Sequence, residues 1–66
     1  MDLWLNGESR HFDPPLTVAG LLASTGLAQR RVAVEVNLQI VPKSRHAEHL
    51  LAPGDRVEIV HALGGG

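Results

Sequence analysis

Leu3-Trp4-Leu5-Asn6-Gly7-Glu8 is the stretch on which the reading of the fold turns. An apolar run leads straight into Asn-Gly, which accepts positive φ at both central positions of a type I′ turn and is the strongest short-range hairpin signal. The reading places a first strand at residues 2–5 and a second at roughly 9–12. Asp13-Pro14-Pro15 then ends the second strand, because proline lacks the ladder N–H and restricts the residue before it.

Downstream, Thr17 is a candidate N-cap, and Val18, Leu21 and Leu22, with Ala19 at the margin, form an apolar stripe at helical spacing. Gly26 suits a C-terminal stop, so the helix is expected from 17 or 18 to about 25. Gly20 lowers helix propensity by about 1 kcal/mol relative to alanine and marks a candidate site of close backbone packing. From Arg31 to Asn37 the period changes to two, with Val32, Val34 and Val36 on one face and Ala33 and Glu35 on the other. Leu38 to Val41 reads as a short strand closed by Pro42. Ser44 to Leu51 holds room for one helical turn, with Leu50 and Leu51 expected in the core. Pro53-Gly54-Asp55 is a turn, and Arg56 to His61 is the last strand, facing Val57 and Ile59 inward. The expected architecture is α+β: a four- to five-stranded mixed sheet with one main helix over residues 1–61, then a tail at residues 62–66 ending Gly64-Gly65-Gly66. One helix cannot cover both faces of such a sheet, so one face stays partly open and offers a place for a partner protein to dock.

Composition narrows the function. A chain of 66 residues makes one domain. At that size about 60% of the unfolded surface is buried, for about 3–5 kcal/mol of net core stabilisation. With one Trp, one Phe and no Tyr, an aromatic-lined ligand cavity is not expected. The absence of cysteine removes disulfides, thiolate metal sites and thiol nucleophiles, and fits a cytoplasmic protein. No charged, apolar leader opens the chain, and no apolar run approaches the roughly 18 residues of a membrane span. A formal net charge of −1 gives no overall basic balance for nucleic acid. The short basic pairs Arg30-Arg31 and Lys43/Arg45 read as solvated surface charge. His46 and His49, at i and i+3, lack further close ligands and read as surface histidines, as do His11 and His61; no metal site is expected.

The set as a whole resembles the ThiS family of thiamine-biosynthesis sulfur carriers, within the ubiquitin-like β-grasp superfamily. The resemblance rests on Leu5-Asn6-Gly7-Glu8, on Leu16-Thr17-Val18 with Leu21-Leu22, on Val32-Ala33-Val34-Glu35-Val36-Asn37, and on Ile40-Val41-Pro42-Lys43. It closes with Gly54-Asp55-Arg56-Val57-Glu58-Ile59-Val60 running to Leu63-Gly64-Gly65-Gly66, so that the pieces span nearly the whole chain in order. There are departures: Asn37-Leu38 stands where the family often has Asn-Gly, and His46 where it often carries an aromatic residue.

The tail has its own chemistry. A C-terminal carboxylate is ionised at neutral pH and is a weak nucleophile toward an activated phosphate. Glycine at Gly66 leaves both faces of that carboxyl uncrowded, and Gly64 and Gly65 let the backbone lie extended in a narrow channel. Residues 62–66 reach at most about 16–18 Å, enough to enter another protein's active site. Without cysteine, sulfur could be carried only at the chain end, as a thiocarboxylate.

The resemblance implies the rest. An adenylating enzyme of the ThiF type, related to ubiquitin-activating enzymes and using ATP and Mg²⁺, would convert Gly66 to an acyl-adenylate. A sulfur-donor protein bearing a cysteine persulfide would displace AMP, and the thiocarboxylate would pass sulfur to a ThiG-type thiazole synthase. The chain would then be a co-substrate with no catalytic residues and no tightly bound cofactor. Val60 and Leu63 flank the tail as candidates for the partner-facing patch, with ordinary core packing as the other reading of each. Alternatives of the same fold are the small subunit of molybdopterin synthase and a ubiquitin-like modifier that ends in an isopeptide bond.

Overall fold

The computed structural model describes residues 1–61, and the expected tail at 62–66 lies outside them. Asn6 and Gly7 both adopt positive φ, 50° and 84°, so β1 (Asp2–Leu5) and β2 (Glu8–His11) close as the Asn-Gly signal requires. A two-residue loop sets Glu8 directly opposite Leu5, which starts β2 one residue earlier than its composition suggests.

The helix α1 (Val18–Ser24) is short, and its ends are well capped. The Thr17 hydroxyl accepts from the Gly20 N–H at 3.0 Å, while the Val18 and Ala19 N–H groups donate to the carbonyls of His49 and His46. At the other end Gly26, at φ 78°, donates to Ala23 and Leu27 donates to Leu22, the paired bonds of a Schellman motif. A Cβ at Gly20 would meet Leu16 Cδ1 at 3.2 Å and Thr17 Oγ1 at 3.4 Å. The tight approach expected at Gly20 is therefore to side chains of the preceding turn and not to another backbone.

The sheet is completed by β3 (Val32–Val36), β4 (Gln39–Val41) and β5 (Arg56–His61), in the order β2-β1-β5-β3-β4. β5 is the central strand, parallel to β1 and antiparallel to β3. Alternation along each strand sends Leu3, Leu5, Val34, Val36, Val41, Val57 and Ile59 toward α1, where they bury with Val18, Leu21, Leu22 and Leu51. This is the α+β β-grasp arrangement. Among the described residues no helix is long and apolar enough to cross a membrane.

The segment after β4 departs from expectation. Its helical turn is a 3₁₀ turn at Lys43–Arg45, and the chain is already extended by Leu50, which bridges to Thr17. Successive side chains of an extended segment point to opposite sides, so Leu51 is buried whereas Leu50 is 63% exposed and not in the core.

Candidate functional site

β5 both anchors the core and leads into residues 62–66, so the groups that hold it determine where the tail begins. Two asparagines in left-handed hairpin positions do much of this. The Asn6 Oδ1 accepts the Ile59 N–H at 2.8 Å, and the Asn6 N–H donates to the Val57 carbonyl. From the other hairpin the Asn37 Oδ1 accepts the Arg56 N–H at 3.0 Å, and its Nδ2 donates to Asp55 Oδ1. Asp55 in turn accepts from the Ala52 N–H, closing the turn ahead of β5. A short polar side chain tolerates positive φ better than most, which suits asparagine to both positions.

Among the described residues no element covers the face of the sheet turned away from α1. Trp4, Ile40 and Val60 are 46%, 63% and 59% exposed, spread over three strands. The other reading of Val60, core packing, is excluded by its exposure. In register on the same face, Glu35 lies directly opposite Glu58, and Ile40 is the next neighbour of Glu35. Like charges opposed across a sheet are destabilising, so this surface is not arranged for stability alone. Leu63, Gly64, Gly65 and Gly66 lie outside the described residues.

The histidines divide. His11 sits on the uncovered face with its Nδ1 2.8 Å from Asp2 Oδ1, and His61 is exposed at the end of β5. His46, expected at the surface, is only 8% exposed; its Nε2–H donates to the Val41 carbonyl at 3.0 Å. The 3₁₀ turn folds it under the helix N-terminus, where its carbonyl receives Ala19. The signal that could have found it is its place in the resemblance, which often sets an aromatic ring at this position, a residue suited to burial. No group of three or more His, Cys, Asp or Glu among the described residues is placed to hold a metal ion.

A small β-grasp body with one uncovered sheet face, its central strand leading toward a Gly-Gly-Gly end, is the form of a ubiquitin-like carrier. A sequence model of the ThiS family matches residues 3–66. The sulfur carrier protein ThiS of Bacillus subtilis (strain 168) is 46% identical, over 97% of this chain and 98% of its own length. The crystal structure of the thiamine biosynthesis protein ThiS from Geobacter metallireducens superposes with a TM-score of 0.86 at 32% identity, covering 100% of both chains. A thiazole synthase of Paramagnetospirillum magneticum is 50% identical over the whole of this chain, but the chain spans only 20% of that relative's length. The chain belongs to the ThiS family, and the relatives it matches along nearly their whole length include the sulfur carrier protein of Bacillus subtilis.

Proposed function

We propose that this chain carries sulfur for the thiazole of thiamine as a thiocarboxylate on Gly66. The observation that supports this most is the match to a sulfur carrier along nearly its full length, joined to a fold whose central strand leads toward the glycine end. In this reading one oxygen of the Gly66 carboxylate attacks the α-phosphorus of ATP and pyrophosphate leaves, giving the acyl-adenylate. A persulfide sulfur then attacks the acyl carbon and AMP leaves. A second thiol cleaves the resulting acyl disulfide, forming a disulfide with the donor cysteine and leaving the thiocarboxylate.

The adenylating enzyme supplies the ATP and Mg²⁺ chemistry, and the work takes place in the cytoplasm. The carrier contributes an uncrowded carboxyl on Gly66, the narrow Gly64-Gly65 approach, and a contact patch of Val60 with Leu63. The 50% identity to part of a thiazole synthase supports that enzyme as the recipient of the sulfur, since a carrier domain and its acceptor benefit from proximity. Incubation with the adenylating enzyme, ATP and a persulfide donor tests the reading by intact mass. Replacement of one oxygen by sulfur within the last residue is expected; a chain unchanged in mass, or joined to a lysine, would refute it.

A further inference from the structure

The fold brings Arg30 and Arg31, one of the basic pairs that read as surface charge, together with Lys43 of the other. Val32 pairs with His61, the last described residue, so Arg30 and Arg31 lie beside the point where the chain leaves β5. Val41 pairs with Val34, which carries Lys43 to the same end of the sheet. There, Arg30, Arg31 and Lys43 line a groove of about 190 Å³ with Leu22, Val32 and His46, and no acidic side chain among the described residues lines it.

We infer that this groove is a docking site for acidic side chains of the protein that receives the C-terminal residues, on the opposite side of the sheet from Val60. The inference rests on the carrier reading above and names a surface that reading does not use. Charge is the first argument. Half of the chain's six basic residues face one groove in a domain of formal net charge −1. The rest are placed elsewhere: Arg10 lies over the Phe12 ring, Arg45 is 3.6 Å from Glu48, and Arg56 stands at the start of β5. Arg30 and Lys43 alone already bring like charge to one groove, and an acidic partner surface complements it while steering association.

The second argument is reach. Residues 62–66 span at most about 16–18 Å, so any protein that takes Gly66 into its active site must bring its surface against this end of the body. The third is the floor of the groove. His46 is more than nine-tenths buried, and its Nε2–H is committed to Val41. His46 lines this groove and the one adjoining it, so the floor is held in place by the bond to Val41 and not free to rearrange.

The test measures the steady-state dependence of pyrophosphate release on carrier concentration, using the full chain and the adenylating enzyme of its own organism, at low and at physiological salt. Arg30→Glu/Lys43→Glu is expected to raise the KM for the carrier about tenfold or more and to flatten its salt dependence, with kcat nearly unchanged. The neutral Arg30→Gln/Lys43→Gln pair, which keeps the side-chain bulk, should fall between. Native KM and salt dependence in both folded variants would overturn the inference and leave the carrier reading intact. Failure of the native chain to elicit any pyrophosphate release would defeat the carrier reading, and the docking site with it.

Discussion

The two faces of β5 follow opposite rules one residue apart. Val57 and Ile59 are buried under α1, while Glu58 and Val60 stand on a face that no described element covers. The inner face is built for stability: aliphatic, closely packed and free of charge. The outer face opposes Glu58 to Glu35 and exposes Val60, both of which cost the isolated domain something. A domain this small has little stability to spare, so under the proposed function it would separate folding from recognition by the alternation of a single strand and not by adding structure.

That contrast can be broken most severely from the inside. Leu21 is fully buried, and Leu21→Ala should cost about 2–5 kcal/mol, comparable with the whole stability of the domain. Urea denaturation followed by circular dichroism should find it largely unfolded at 37 °C. Removing the Asn6 side-chain clamp leaves the Ile59 N–H without its partner, so Asn6→Ala should cost about 1–3 kcal/mol by the same measurement. On the outer face the effect should move from stability to binding. Val60→Asp should leave the denaturation midpoint nearly unchanged while weakening partner binding about tenfold, about 1.4 kcal/mol, by calorimetry. The smallest effect is a gain. Leu38, at φ 71° and 87% exposed, gives up left-handed strain without losing packing, so Leu38→Gly should stabilise the domain by about 0.5–1 kcal/mol.

Whatever is written in local period was legible in the sequence. The Asn6-Gly7 turn, the Val32-Val34-Val36 face, the Val18-Leu21-Leu22 stripe and the bounds of β5 follow from spacing alone. The misreadings fall where distant residues decide. Leu50 and Leu51 look alike until the bridge from Leu50 to Thr17 fixes which of them faces the core. His46 looks like a surface histidine until β4 presents the Val41 carbonyl to its ring. Asn6 is a turn signal locally, but its side chain is used on Ile59, 53 residues away. The candidate site divides in the same manner. Gly64-Gly65-Gly66 is visible as sequence, whereas the convergence of Arg30 and Arg31 with Lys43 depends on the register of three strands.

The most direct measurement concerns the chain end. The native chain and a version lacking Gly66 are each incubated with the adenylating enzyme, ATP and a persulfide donor, then compared by mass spectrometry of their C-terminal peptides. The native chain should gain a sulfur in place of an oxygen on Gly66, and the shortened chain, equally folded, should gain none. Sulfur on both, or on neither, would contradict the account.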